Sequence, residues 1–166
     1  AGGCCCVILN TVKQAQAVYR LLGDDVPKLL FHARFTAQDR EQIATKVGEL
    51  FGPNIDNRPE RFILVATQVV EQSLDVDFDH MITEIAPMDL LLQRSGRLHR
   101  HRVRGHRPVL HVLTPTPGVS KYGGTGYVYA EKPLLRTNAI LAERGEASLP
   151  SDFRLLIERT YGQEQW

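Results

Sequence analysis

Residues 90–130 contain no acidic side chain, and residues 62–93 contain no lysine or arginine. The first span opens on "LLLQRSGRLHRHRVRGHR", with six arginines and three histidines. The second carries six carboxylates: Glu71, Asp75, Asp77, Asp79, Glu84 and Asp89. A formal net charge of +1 over 166 residues hides this split. Charge segregated along a chain points to partners, whereas a small net charge speaks only to solubility. No apolar run approaches the roughly 20 residues of a membrane span, so no membrane partner is expected. The start, "AGGCCCVILN", lacks the basic region and cleavage pattern of a secretory signal; the chain is expected to begin in mid-protein, on a strand. The three cysteines are consecutive, Cys4 to Cys6. On a strand such neighbours alternate between faces and cannot converge on a metal. No second cysteine cluster completes a zinc site. They read as small buried hydrophobes of a reducing compartment, the cytoplasm. His99, His101 and His106 have no carboxylate or cysteine near them in sequence, so no metal site is expected.

Phosphate-binding signatures are missing too. There is no G-x-x-x-x-G-K-[ST], no G-x-G-x-x-G, no G-x-S-x-G and no H-E-x-x-H. "GGTGY" at 123–127 does not open a helix after a strand and reads as a flexible loop. The chain therefore cannot build a complete phosphate site of its own. Its chemistry must be shared with another domain.

What is present is an ordinary globular composition, 43% hydrophobic and 23% charged, with length for one core. Near-continuous apolar runs at 4–10, 27–35, 61–67, 80–86 and 108–115 alternate with helical patterns at 12–23, 36–51 and 88 to about 102. That is an α/β chain, a parallel sheet with helices on both faces. Ligands in this class sit at the carboxyl ends of strands, here Asn10 and Thr11, 32–36, 66–72 and 86–89. After Pro115 a Pro- and Gly-rich stretch reads as a linker or extended arm. Helical pieces near 130–144 and 152–161 follow, too short and sparse to form a second core.

Two motifs carry chemistry. In "LVATQVVEQSLDVDFD" (64–79) a buried strand ends in a loop presenting Gln68, Glu71, Gln72, Ser73 and Asp75. Amides and hydroxyls there can bond phosphate or ribose without reading base sequence, and Asp75 could accept from a ribose hydroxyl. The plainer reading is a solvated acidic turn. In "QRSGRLHR" (93–100) helical spacing puts Arg97 and Arg100 on one face, with Gln93 on the same side. Gly96 would cost about 1 kcal/mol inside a helix, which suggests close approach of another backbone or a ligand. Two guanidiniums and an amide suit phosphate oxygens. Supplied across a cleft, such an arginine stabilises a transferring phosphoryl group. The plainer readings are a basic helix on nucleic acid, or a solvated face.

Together "ATQVVEQSLDVDFD" and "PMDLLLQRSGRLHRH" look like motifs V and VI of superfamily 2 helicases. Their form is similar to the helicase subunit of type I CRISPR interference, a helicase–nuclease recruited by an RNA-guided surveillance complex. "VILNTVKQAQAVYRLL" resembles motif IV, "LFHARFTAQDR" motif IVa, and "LPSDFRLLIERTYG" the segment after the helicase core. The resemblance implies that 1–115 is the second RecA-like lobe of a two-lobed motor. Residues 116–166 would be a linker and helical tail leading toward a further C-terminal domain. ATP and Mg²⁺ would be held mainly by the first lobe, leaving the isolated chain nearly inactive. Arg97 or Arg100 would be the arginine finger, and Gln93, Gly96 and Asp75 would line the nucleotide. Asn10, Thr11, His32, Arg34, Thr67 and Gln68 would hold single-stranded DNA. Ser73 stands where many superfamily 2 proteins have glycine, which fits the CRISPR subgroup. The alternatives are a lobe of another superfamily 2 RNA helicase and a nucleic-acid-binding module without ATP turnover. Arg102, Arg104 and Arg107 match no motif; they read as a solvated basic face, the alternative being a DNA exit path or the junction with an accessory domain. The acid-free span is expected to keep the arginines clear of competing ion pairs.

Overall fold

Alternating side chains on five short strands set the architecture. The computed structural model describes residues 3–71, 74–102, 104–115 and 122–162. Strands β1 (Gly3–Ile8), β2 (Lys28–Phe31), β3 (Arg61–Ala66), β4 (His80–Glu84) and β5 (Leu110–Leu113) form one parallel sheet in the order β2-β3-β1-β4-β5. Helices α1 (Val12–Leu21) and α2 (Ala37–Phe51) cover opposite faces. Cys4, Cys6 and Ile8 pack with Phe62, Leu64 and Ala66 under Val47 and Phe51 of α2. Val7, Ile63 and Val65 point the other way, onto Ala15, Val18 and Tyr19 of α1. Burial raises all three thiols, that of Cys5 to about 11, so they are un-ionised packing groups. Both helix starts are capped as their sequence suggests: Thr11 accepts from the Gln14 N–H and Thr36 from the Asp39 N–H.

Three expectations change. Helix α3 (Met88–Ser95) stops well short of residue 102. Leu98 turns into the core and pairs with Phe78. The Phe78 N–H bonds Arg97 O at 2.9 Å and the His99 N–H bonds Phe78 O at 3.1 Å. His99 takes a φ of 49° there, which a helix cannot contain. Tertiary pairing has overridden the helical period.

Second, residues 123–127 are an anchored 3₁₀ turn, not a flexible loop. Thr125 is buried and accepts from Asn10 Nδ2 at 3.0 Å. A Cβ on Gly124 would lie 2.6 Å from Thr11 Cγ2, so glycine is what lets the turn seat on the start of α1. Third, α4 (Glu131–Arg144) and α5 (Phe153–Tyr161) do build a small core. They use Met88 and Leu92 of α3 with Ile140 and Leu156, which a count of tail residues alone misses. Residues 116–121 of the expected linker lie outside the described residues. Among the described residues no helix is long and apolar enough to cross a membrane.

Candidate functional site

Because the sheet is parallel, every strand delivers its carboxyl end to one edge, and β3, β1 and β4 are neighbours there. Asn10 follows β1, the 3₁₀ turn Gln68–Glu71 follows β3, and α3 follows β4. Asp75 comes a few residues after that turn. Gln72 and Ser73 lie outside the described residues.

Arg97 and Arg100 do not share a helical face, since both lie beyond the end of α3. The loop brings them together by another route. Arg100 Nε is 2.8 Å from Asp75 Oδ1, and His101 Nε2 is 3.1 Å from the same oxygen. The Arg100 N–H donates to Asp77 Oδ1 at 2.8 Å. Arg97 donates through Nη2 to Glu71 O at 3.3 Å. Among the described residues Arg97 has no ion pair. Burial and then the Arg100 charge lower its pKa, against a smaller opposing pull from Asp75. Arg97 is thus a partly desolvated cation short of an anion. The Arg100–Asp75 pair is 42% and 55% exposed; such surface pairs contribute only about 0–1 kcal/mol and exchange readily. Gln93 is exposed on the last turn of α3. A Cβ on Gly96 would meet only its own chain, Gln93 O at 3.4 Å and Leu92 O at 3.9 Å. Gly96 is the helix stop and not a point of close approach by another segment.

The six residues expected on nucleic acid divide by burial. Asn10, His32 and Thr67 are buried; Thr11 and Gln68 are half-buried and Arg34 is exposed. Asn10 Nδ2 donates to Ile85 O at 2.7 Å as well as to Thr125, and Gln68 Nε2 donates to Asn10 O at 3.0 Å. That joins Asn10, Thr11 and Gln68 in one corner. His32 stacks on Phe35 with centroids 4.2 Å apart, and burial lowers its pKa. With Arg34 it belongs to the β2 edge. The Thr67 N–H bonds Phe31 O, tying β3 to β2 at the same end.

Sequence reasoning passed over Arg94, the largest fully buried side chain. All its N–H donors are used. Nε and Nη2 reach Glu71 Oε1 at 2.7 and 2.6 Å, Nη1 reaches Thr83 Oγ1 and Glu84 O, and Nη2 also reaches the Tyr129 hydroxyl at 3.0 Å. The available signal was its place three residues after Leu91, on the apolar face of α3.

The charge split that opened the sequence is largely resolved within the chain. Arg94 pairs with Glu71, Arg100 with Asp75, and Arg104 with Asp77 and Asp79. Arg58 pairs with Asp79 at 2.8 Å. The acid-free span is therefore not free of ion pairs. Arg104, at 11% exposure, is not part of a solvated basic face; Arg107 is exposed. His106 stacks on His80 and meets His99 edge-on. Among the described residues no group of His, Cys, Asp and Glu is arranged to hold a metal ion.

Burial alone would raise the Asp79 carboxyl. The Cys4 N–H and the guanidiniums of Arg58 and Arg104 outweigh it and hold Asp79 at about 2. Its folded value lies below the unfolded value near 3.9, so its stabilisation is present above that value and is lost as pH falls toward 2. The expected contribution is roughly 2 kcal/mol. Unfolding midpoints in urea should drop steeply from about pH 5 to about pH 2, and Asp79→Asn should flatten that drop.

The model of the family described as "CRISPR-associated nuclease/helicase Cas3, C-terminal" matches residues 1–103. The Thermus thermophilus CRISPR-associated endonuclease/helicase Cas3 is 44% identical over 90% of this chain and 17% of its own length. A crystal structure of T. fusca Cas3 with ATP superposes with a TM-score of 0.86 and 34% identity, over 98% of this chain and 20% of that one. A pre-nicking CRISPR RNA-guided surveillance complex holds a chain with a TM-score of 0.81 and 37% identity, over 96% of this chain and 21% of that one. The chain thus spans about a fifth of the length of the relatives it matches. With most of its residues inside that family model, it belongs to the CRISPR-associated nuclease/helicase Cas3 family and has the RecA-like fold of the C-terminal lobe.

Proposed function

We propose that this chain is the second motor lobe of an ATP-dependent single-stranded DNA translocase/helicase that acts with a nuclease in type I CRISPR interference. The observation that carries the reading is Arg97, a partly desolvated cation with no ion pair among the described residues, close to Arg100, whose own ion pair is open to exchange. Arg97 reaches the turn after β3 through Glu71 O, and Arg100 pairs with Asp75 and bonds Asp77, just before β4. ATP binding by the T. fusca relative supports the same placement.

ATP and Mg²⁺ would be held by the first RecA-like lobe of the parent chain, which supplies the phosphate loop and the metal ligands this chain lacks. The donor set here fits the phosphate end of a nucleotide and not a metal. Arg97 stabilises charge accumulating on the transferring phosphoryl group, worth about 10³–10⁵ in rate in comparable sites. Arg100 exchanges Asp75 for a phosphate oxygen, and the released carboxylate accepts from ribose. Gln93 closes the site from the end of α3. Thr11, Arg34 and Gln68 hold strand phosphates, while Asn10, His32 and Thr67 order the strand ends beneath them. Hydrolysis opens and closes the lobes and moves the strand. Residues 116–166 lead toward a further C-terminal domain, and the surveillance complex is the loading partner in the cytoplasm.

The test is ATP turnover of the full-length protein with single-stranded DNA or RNA of equal length at matched salt. Stimulation by DNA over RNA is expected. Equal stimulation by RNA would favour a general RNA helicase, and nucleic-acid binding without turnover would leave a binding module.

A further inference from the structure

Arg104 stands one residue beyond the part of the chain matched by the family model, and it belongs to no motif named above. Its guanidinium nonetheless holds two carboxylates. Nη2 donates to Asp77 Oδ2 at 2.8 Å, Nη1 to Asp77 Oδ1 at 3.1 Å, and Nε to Asp79 Oδ1. Asp77 is fully buried and the Arg104 side chain is 11% exposed. Burial would raise the Asp77 carboxyl, but Arg104 and the Arg100 N–H outweigh it and hold it below its ordinary value. Asp77 therefore stays an anion that accepts on both oxygens.

What Asp77 holds in turn is the arginine-bearing stretch. Residues 97–100 are tied to Asp77 and Phe78 at three points. The Phe78 N–H donates to Arg97 O at 2.9 Å, the His99 N–H to Phe78 O at 3.1 Å, and the Arg100 N–H to Asp77 Oδ1 at 2.8 Å. The first two ties join main chain to main chain and need no particular side chain. The third exists only while the Asp77 carboxylate faces Arg100. The same Oδ1 also accepts Nη1 of Arg104, so both ends of the 100–104 segment close on one carboxylate. The Asp77 main chain is itself anchored, its N–H on Phe51 O at 2.8 Å and its O on Arg58 Nη1 at 2.7 Å. Arg58 sends its other bond to Asp79. Arg104 is thus the guanidinium that reaches the Asp77 carboxylate.

We propose that Arg104 is a positioning residue for phosphoryl transfer: paired with Asp77, it keeps that carboxylate on the Arg100 N–H and so fixes where Arg100 points. Without Arg104 a buried charge must turn toward water or take up a proton. Turning draws Oδ1 away from Arg100, and protonation weakens the bond. A catalytic group misplaced by about 1 Å can lose about 10²-fold in rate. The inference rests on the motor reading given above.

In the full-length protein, Arg104→Met should lower DNA-stimulated kcat about 10- to 100-fold. The KM for ATP and the affinity for single-stranded DNA should stay close to wild type, because the lost interaction belongs to the transition state. The deciding comparison is made in Arg100→Ala. There Arg104→Met should cost less than about twofold more, since the residue it positions is already gone. Arg104→Lys keeps a charge beside the carboxylates but not the fork that spans Asp77. It should fold and recover part of the lost kcat. Wild-type kcat in Arg104→Met, or in Arg104→Lys should the first variant fail to fold, would overturn the inference and leave the motor reading standing. Full additivity of Arg104→Met with Arg100→Ala would also overturn it, since that is the mark of a general structural defect. A wild-type protein with no DNA-stimulated turnover would remove the motor reading and this inference together.

Discussion

Arg97→Ala in the full-length protein is expected to reduce ATP turnover by about 10³-fold or more while leaving single-stranded DNA affinity and thermal stability nearly unchanged. The separation follows from how Arg97 is held. It has no ion pair among the described residues, and its one hydrogen bond is to a main-chain oxygen. Its loss therefore strands no buried carboxylate. What disappears is a cation already short of an anion. Arg97→Lys should not restore turnover, because a point charge does not reproduce the planar guanidinium fork. Phosphate release at saturating DNA, with anisotropy of a labelled strand, reads both quantities. Turnover near wild type would reduce Arg97 to a tether on the Glu71 turn. A parallel loss of DNA affinity would put the arginines on the strand and not on the nucleotide.

Arg94→Met is expected to do the reverse, acting first on stability. Arg94 is fully buried and Glu71 is 11% exposed, so removing the guanidinium leaves a carboxylate with little water and no counter-charge. Breaking one partner of a buried pair costs about 3–5 kcal/mol. For a domain of this size each kcal/mol lowers Tm by roughly 2–4 °C, so a fall of some 6–20 °C is expected. The sharper check is the double variant Arg94→Met with Glu71→Leu. Replacing both members of a buried pair by apolar groups is often neutral, so the double variant should recover most of the lost Tm. If it unfolds as early as the single variant, then the bonds to Thr83, Glu84 and Tyr129 carry the stability and the ion pair does not.

The strands were legible because a parallel sheet covered on both faces leaves a continuous apolar run, and all five runs became strands. The caps at Thr11 and Thr36 are local, each oxygen accepting from an N–H three residues on. What was not legible depended on residues distant in sequence. Nothing in "QRSGRLHRH" announces that Leu98 will pair with Phe78, yet that pairing ends α3 and sets the course of the chain through Arg97 and Arg100. "GGTGY" looks mobile until Asn10 is placed beside Thr125. The charge split was visible, but its use was misread. Runs of opposite sign twenty or more residues apart look like two surfaces, and folding set them against each other. Asp75 lies against Arg100 and near Arg97, although the helical face expected for the two arginines does not exist.

The central position of β1 has a consequence on the ribosome. β1 pairs with β3 and β4 and not with β2, the next strand in the chain. Its first partner, in the register Gly3 to Arg61, emerges only after two helices have been made. At roughly 5–20 residues per second that is a wait of several seconds. Throughout it the stretch that becomes the middle of the sheet is an unpaired apolar strand carrying three adjacent thiols. The hazard of misassociation therefore falls during synthesis, before Arg61–Ala66 arrives, and a nascent-chain chaperone would find its binding site in the first ten residues.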